Sequence, residues 1–158
     1  MKKRSKNAEA LFTRSDSVAK VIERSIRAAK LSVDAALYRL SHRRLARALL
    51  DAARRGVKVR IILDRRKYEV TPATKKLLAK SQLPFRLTSG RRGRYAKMHH
   101  KFAVLDGRVA LAGSYNWTPE SEDQNYENLI ILREPQQVKR FVREFKALWS
   151  AAPQRQRR

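Results

Sequence analysis

A histidine and a lysine two residues apart, His99 and Lys101, form the pair best suited to chemistry in this sequence. The alternating residues of 98–105 predict an extended strand, in which side chains two residues apart point to the same face. An imidazole can attack a phosphorus atom, and a fixed ammonium beside it can neutralise the phosphoryl oxygens. The pair therefore indicates phosphoryl-transfer chemistry.

More polar residues follow this pair along the chain. Asp106 ends the predicted strand, and Ser114 and Asn116 lie in the segment Gly-Ser-Tyr-Asn-Trp-Thr. Glu127 precedes the next apolar run. Each of them also has an ordinary structural explanation; an aspartate followed by glycine, for example, is a turn signal. Taken singly, each of them is better explained by ordinary structure than by chemistry.

The charge of the chain is strongly positive. Lysine and arginine number 38 against 14 aspartate and glutamate, which gives a formal net charge of +24. Such a field attracts polyanions and makes their binding salt-dependent. A surface that serves solubility, or adhesion to an anionic membrane, would also carry basic residues. A surface that serves solubility alone would be expected to carry balancing acidic residues as well. The balance favours nucleic acid as the partner.

The composition also bears on metal sites and on location. The chain has no cysteine, which excludes disulfides and thiolate metal sites. His99 and His100 are neighbours in a predicted strand and should face opposite ways, so we expect no metal site. No apolar run approaches the roughly 18 residues of a membrane span, and none follows the basic start of the chain. We therefore expect a cytoplasmic protein, or a periplasmic or secreted one if a leader has been removed.

Alternating strands and helices are predicted around these residues. The dense apolar run of 57–63 is the clearest strand and should be buried on both faces. Predicted strands cover 8–13, 31–37, 57–63, 85–88, 98–105, 108–112 and 126–132, and predicted helices cover about 17–30, 41–56, 72–80 and 138–149. Residues 89–94 and 119–124 are expected to be loops, the first of them basic and flexible.

The 158 residues are enough for one α/β domain with a real core. We expect this domain to cover 8–150 and to contain a mixed sheet flanked by helices. Residues 1–7 would be a basic N-terminal extension, and 151–158 a basic, disordered tail.

The motif residues resemble those of the phospholipase D superfamily, whose signature is H-x-K-x-x-x-x-D followed by G-S-x-N. His99, Lys101 and Asp106 stand in the first pattern, and residues 113–116 match the second. The chain is most similar to the small, single-motif nucleases of bacteria and their mitochondrial relatives, over roughly 8–150. The resemblance implies a phospholipase D-like fold, with helices on both faces of a mixed sheet, and catalysis without a metal or other cofactor.

The resemblance also implies a role for each residue. His99 would attack phosphorus and form a covalent phosphohistidine, while Lys101 and Asn116 would hold the non-bridging oxygens. Ser114 would add a hydrogen bond to the phosphate or support the site. Glu127 would accept a hydrogen bond from the other ring nitrogen of His99 and fix its tautomer.

One copy of the motif supplies only half of such a site. The leaving oxygen needs a proton, and water must then be activated to cleave the intermediate. The chain has no internal repeat, so the resemblance implies a two-fold homodimer in which two motifs meet. Asp106 is assigned to local structure and subunit contacts.

Basic and aromatic residues near the motif are the candidate substrate contacts. The basic ones precede the motif or follow the buried strand: Arg91, Arg92, Arg94, Lys97, Arg65, Arg66 and Lys67. They should bind phosphates without reading sequence. Tyr95, Tyr115 and Trp117 could stack on bases, which would favour single strands, although burial explains Trp117 equally well.

The sequence therefore predicts a nonspecific endonuclease that hydrolyses DNA or RNA, with single strands favoured. A lipid hydrolase acting on cardiolipin or another phospholipid is the second interpretation, and the lack of an apolar anchor counts against it. A nucleic-acid-binding module with a vestigial site is the third, and the intact set of site residues counts against that one.

Overall fold

A computed structural model describes residues 7–153, and within them one seven-stranded sheet carries the fold. The strands are β1 (Ala8–Phe12), β2 (Ser32–Leu37), β3 (Lys58–Asp64), β4 (Phe85–Thr88), β5 (Lys101–Leu105), β6 (Val109–Gly113) and β7 (Asn128–Leu132). The helices are α1 (Val18–Ala28), α2 (Arg43–Arg54), α3 (Arg65–Glu69), α4 (Pro72–Ser81), α5 (Pro119–Asp123) and α6 (Pro135–Ala151). The strand order is β1-β7-β6-β5-β2-β3-β4. The three strands β2, β3 and β4 are parallel to one another and the other pairs are antiparallel, so the sheet is mixed as predicted.

Helices cover both faces of this sheet. The apolar stripes of α1 and α2 bury Ile22, Ile26, Leu45 and Leu49 completely on one face. On the other face α6 packs over β2, β5 and β6. The alternation of strand side chains supplies both cores, because successive residues point to opposite faces. The predicted burial on both faces of the strand at 57–63 is confirmed for Ile61, Ile62 and Leu63, whereas Lys58 is exposed and Arg60 is half-buried.

The strand registers bring the motif segments to one end of the sheet. Leu37, at the end of β2, is the partner of Lys101, at the start of β5. Gly113 at the end of β6 pairs with β7 near its start at Asn128. Asp64 at the end of β3 lies at this same end, because β2 and β3 are parallel. We call this end of the strands the site end.

The hairpin predicted at Asp106 and Gly107 lies at the opposite end. Both residues have positive φ, 53° and 65°, which is the backbone of a tight type I′ turn. The Asp106 carboxylate accepts hydrogen bonds from the backbone N–H groups of Lys30, Leu31 and Ser32, at 2.7–3.1 Å. These bonds join the hairpin to the start of β2, in agreement with the expected role in local structure.

Several expected boundaries differ from those observed. The motif strand begins at Lys101 rather than at residue 98, because the backbone N–H of Met98 donates to the Asp64 carboxylate at 2.9 Å. Helix α2 is preceded by His42 rather than Ser41 as its N-terminal cap, and β7 begins at residue 128.

Two short helices, α3 and α5, were not predicted from the sequence. Helix α3 follows β3 directly, since the Asp64 side chain caps it by accepting from the Lys67 N–H at 2.9 Å. The expected loop at 119–124 contains α5, where Thr118 caps the first turn and Pro119 occupies the first helical position. The predicted N-terminal extension and tail lie outside the described residues, apart from residues 7 and 151–153.

Candidate active site

His99 and Lys101 lie side by side at the site end. The Nζ of Lys101 is 3.3 Å from Nδ1 of His99 and donates to the backbone oxygen of the same residue at 2.8 Å. Residues 98–100 are not a regular strand, but the backbone N–H of Tyr38 donates to the His100 oxygen at 2.7 Å. This bond continues the pairing beyond β5 and keeps the segment extended. The predicted juxtaposition is therefore observed, and Nε2 of His99 has no hydrogen-bond partner within residues 7–153.

Tyr38 is a site residue that the sequence interpretation missed. Its ring is 92% buried and packs on the imidazole of His99, with centroids 4.4 Å apart. The ammonium groups of Lys101 and Lys67 lie 5.2 and 5.6 Å from the centre of the same ring. Such cation–π contacts restrain a lysine without neutralising it. The signal available in the sequence was that Tyr38 directly follows the strand paired with the motif strand.

The surroundings of His99 favour its neutral form. Partial burial of the ring lowers its pKa, and the charges of Lys101 and Lys97 lower it further. Asp64 acts in the opposite direction. Burial also lowers the pKa of Lys101, while Glu127 opposes this shift. A neutral imidazole has the lone pair that a nucleophile needs.

Ser114 and Glu127 form a separate pair across β6 and β7. The Ser114 hydroxyl donates to the Glu127 carboxylate and accepts from the backbone N–H of Asn128 at 3.1 Å. Ser121 and Asn125 also donate to this carboxylate, at 3.4 and 3.2 Å. The expected hydrogen bond from His99 to Glu127 is absent from the described part of the single chain, because the carboxylate is occupied by donors from nearby segments.

Gly113 allows this pair to form. A Cβ atom at residue 113 would lie 2.3 Å from the backbone oxygen of Asn128 and 2.8 Å from its side-chain oxygen. Only a residue without a side chain lets β6 and β7 approach so closely at the site end. The packing of β6 against β7 therefore requires glycine at position 113.

Asn116 lies just beyond, in the segment between β6 and α5. Its side-chain oxygen is buried and has no partner among the described residues. A buried amide oxygen without a donor is costly, and no described residue supplies a donor to this one. The neighbouring backbone is fixed, since the Thr118 N–H donates to the backbone oxygen of Asn116 at 2.8 Å.

Two of the predicted base-stacking residues are instead part of the core. Tyr115 and Trp117 are each 1% exposed, so neither can stack on a nucleobase. The Tyr115 hydroxyl donates to Glu122 at 2.9 Å, and burial together with that carboxylate raises the pKa of this phenol. The backbone oxygen of Trp117 accepts from the N–H groups of Ser41 and His42. Alternation past β6 directs these two rings inward, which the sequence pattern alone did not settle.

Most predicted basic contacts are exposed as expected. Arg66, Arg91, Arg92, Arg94 and Lys97 are all exposed. Arg65 differs, because it is only half-exposed and donates to the backbone oxygen of Leu87 at 3.3 Å.

The two adjacent histidines face different ways, as predicted. His100 contacts Glu144 of α6, with Nε2 and Oε1 3.1 Å apart. Its ring also lies against Phe102 on the α6 side of the sheet. Among residues 7–153, no three histidine, cysteine or acidic side chains are grouped closely enough to hold a metal ion.

Comparison with known proteins identifies the family. Residues 22–149 match the family described as "Cardiolipin synthase, PLD-like domain". The chain belongs to this phospholipase D-like family. The mitochondrial cardiolipin hydrolase of Danio rerio is 36% identical over 126 residues, which are 78% of this chain and 53% of the relative. The chain thus spans about half the length of the curated relatives it matches.

Solved structures support the fold. Nuc from Salmonella typhimurium, a phospholipase D family member, superposes with a TM-score of 0.82 at 23% identity, covering 95% of this chain and 98% of that one. NucT from Helicobacter pylori gives 0.83 at 24% identity, covering 94% and 99%. The phospholipase D-like fold predicted from the motif is confirmed. No helix within residues 7–153 combines the length and apolarity needed to cross a bilayer.

Proposed function

We propose that this protein hydrolyses phosphodiester bonds of nucleic acid, with His99 as the nucleophile. The observation that carries the proposal is the solvent-accessible imidazole of His99 held 3.3 Å from the Lys101 ammonium. Partial burial and the neighbouring charges lower the pKa of this imidazole, so that it is neutral near pH 7. Family membership supports the same chemistry.

In the proposed first step, Nε2 of His99 attacks phosphorus. A nitrogen–phosphorus bond forms, the bond to the leaving oxygen breaks, and that oxygen takes a proton from a general acid. Lys101 and Asn116 stabilise the charge on the non-bridging oxygens. Water then attacks the phosphohistidine, which releases the phosphate product and restores the imidazole. Because lysine and amide donors stabilise the charge, the proposed reaction needs no metal ion.

A second histidine is needed for the proton transfers in this scheme. His100 cannot serve, since it faces α6 and contacts Glu144. His42 lies beyond Tyr38 at the start of α2, and its Nδ1 is buried. We therefore propose a homodimer in which the same motif of a second copy supplies the general acid and base, as expected for a two-fold contact.

The surface around the site favours nucleic acid as the substrate. The exposed cations near the motif form no ion pair with any carboxylate of residues 7–153; they are Arg66, Arg91, Arg92, Arg94 and Lys97. By contrast, arginines of α1 and α2 are paired with Glu23 and Asp51. Unpaired cations are free to bind successive phosphates of a polyanion. A phospholipid is the second candidate substrate, because the curated relatives are named mitochondrial cardiolipin hydrolases.

The test compares two single variants on several substrates. Purified protein is incubated in EDTA with labelled single- and double-stranded DNA, RNA and cardiolipin vesicles. We expect nucleic-acid cleavage that His99→Ala abolishes, by at least about a thousandfold because the nucleophile is lost. The matched control is His100→Ala, which should cleave at nearly the wild-type rate.

Three other outcomes would each contradict the proposal. Cleavage of cardiolipin alone would assign the site to lipid hydrolysis. Salt-sensitive binding without cleavage would indicate a binding module. A fully active His99→Ala variant, folded by circular dichroism, would overturn the assignment of the nucleophile.

A further inference from the structure

Tyr95 is an aromatic residue that the fold does not bury. Its side chain is 67% exposed, in the basic loop between β4 and β5. The guanidinium of Arg66 lies 5.5 Å from the centre of its ring, and that of Arg94 lies 5.7 Å away. Tyr38, Tyr115 and Trp117, at the same end of the sheet, are at most 8% exposed. Phe12 and Tyr126 are also exposed at this end of the sheet, but Tyr95 is the exposed ring of the basic loop that leads directly into the motif.

The loop that carries Tyr95 is closed and anchored. A Cβ at Gly90 would lie 2.6 Å from the backbone nitrogen of Lys97, so the two ends of the loop touch. Just after it, the Asp64 carboxylate holds the Met98 N–H. The other oxygen of Asp64 caps α3, the helix that carries Arg66. A single buried carboxylate therefore fixes both the loop and the helix beside it.

This anchoring places the ring near the nucleophile. Tyr95 lies four positions before His99 in the sequence, so their Cα atoms are at most about 14 Å apart. A nucleotide bound at Tyr95 would therefore lie within a few nucleotides of the phosphate that is attacked. Both guanidiniums lie over the ring, so a stacking base would displace one of them from the ring face. The released arginine can then bind a neighbouring phosphate through paired N–H groups.

We propose that Tyr95, flanked by Arg66 and Arg94, is a stacking subsite for one unpaired nucleobase close to the scissile phosphate. This inference rests on the proposed function. An aromatic ring stacks on any base because every base has a π-face, so the subsite is tolerant of sequence. A base inside a duplex is already stacked on both faces, so the subsite selects single strands. The glycerol and acyl groups of a phospholipid have no π-face to offer the ring.

The test separates stacking from general damage by comparing variants and substrates. The variants are Tyr95→Leu, Tyr95→Phe and, as a control, Leu31→Ala, which alters an exposed apolar side chain at the opposite end of the sheet. The substrates are a single-stranded oligonucleotide, the same strand with abasic sites beside the cleaved bond, and the base-free diester bis(4-nitrophenyl) phosphate. Initial rates give KM and kcat for each pair.

We expect Tyr95→Leu to raise KM for the normal oligonucleotide about tenfold, because base–aromatic stacking is lost. Its KM for the abasic strand and its rate on the base-free diester should match wild type. Tyr95→Phe and Leu31→Ala should behave as wild type throughout.

Two results would overturn the subsite. One is an unchanged KM of Tyr95→Leu on the normal strand, and the other is an equal loss on the base-free diester, which would indicate a structural role. In either case wild-type cleavage of the oligonucleotide would leave the proposed function intact. A wild-type protein that hydrolyses the base-free diester but no oligonucleotide would instead exclude the nuclease function, and the subsite with it.

Discussion

The imidazole of His99 owes its low pKa to identifiable neighbours. Partial burial is the main cause, followed by Lys101 and then Lys97, with a small contribution from His100, while Asp64 opposes them. Lys97 is exposed, so its charge can be removed without opening the core. Removal of the Lys97 charge should therefore change the pKa of His99 in a direction that can be predicted.

Lys97→Met should raise the pKa of His99, because one of the charges that disfavour the imidazolium is removed. The acid side of the kcat/KM profile, where activity falls as His99 becomes protonated, should therefore move to higher pH. The profile is measured on bis(4-nitrophenyl) phosphate, to keep substrate binding by Lys97 out of the comparison. Lys58→Met, at the opposite end of the sheet, is the control and should leave the profile in place. A shift to lower pH would contradict this account of the site.

The pKa of Asp106 is also lowered by its surroundings, and this residue has a structural role. Three backbone N–H groups donate to its carboxylate and lower its pKa, against the opposing effect of burial. Asp106→Asn keeps a residue that tolerates positive φ but loses the charge. We expect a loss of about 1–2 kcal/mol in the free energy of unfolding, with little change in activity per folded molecule.

The stability lost in Asp106→Asn should depend on pH. A carboxylate with a lowered folded-state pKa stabilises the fold fully above its unfolded pKa of about 3.9, and this stabilisation disappears as pH falls through the folded value. Urea unfolding of wild type and variant should therefore differ at pH 7 and converge in acid. Asp51→Asn, which removes an exposed ion-pair partner of Arg47, should cost under about 1 kcal/mol. An equal loss in both variants would argue against the special role of Asp106.

At the scale of elements, the close approach of β6 to β7 positions the Ser114–Glu127 pair of the candidate site. Gly113→Ala would place a methyl group 2.3 Å from the Asn128 oxygen, and the two strands must separate where Ser114 meets Glu127. We expect a loss of about 1–3 kcal/mol in stability and a clear loss of activity in the remaining folded protein. The measurement is cleavage rate per folded molecule, with the folded fraction taken from chemical denaturation.

Gly107→Ala is the matched control for this change. It lies at the other end of β6, where φ is +65° and no atom is within 4 Å of an added Cβ. The strain of that φ should cost about 1–2 kcal/mol, while activity per folded molecule stays near wild type. If both glycine variants lost activity equally, the specific importance of the β6–β7 approach would be refuted.

Most elements could be predicted because their periodicity is strong. The apolar stripes of α1 and α2 and the dense apolar run of β3 are local sequence patterns that are typical of buried helices and strands. The two short helices were missed because each depends on one capping side chain, Asp64 or Thr118. Both capping residues are visible in the sequence. A five-residue helix, however, has too few apolar positions to show the 3.6-residue spacing that identifies a helix.

The site was predictable only in part, for a related reason. His99 and Lys101 are two residues apart, so local geometry brings them together. Tyr38 contacts His99 because β2 pairs with β5, and Asp64 is joined to the motif segment by a tertiary hydrogen bond to Met98. Neither contact can be predicted from a pattern in a single sequence. The inward direction of Tyr115 likewise depends on the partner Glu122, which also caps α1.

At the scale of the whole molecule, the proposed site needs one imidazole from each of two chains. In an isologous dimer the two motifs face each other across the axis and make one shared site. Loss of His99 in either chain should then inactivate the whole dimer. This differs from a protein in which every chain acts alone, and subunit mixing distinguishes the two arrangements.

Wild-type and His99→Ala chains are mixed in equal amounts, unfolded and refolded together. Random pairing leaves about a quarter of the dimers with two intact histidines, so activity per total chain should fall to about a quarter of that of refolded wild type. Mixing with His100→Ala chains should leave it near the wild-type value, because that histidine faces α6. Activity of about one half in the first mixture would mean that each chain carries a complete site, and the shared dimeric site would have to be abandoned.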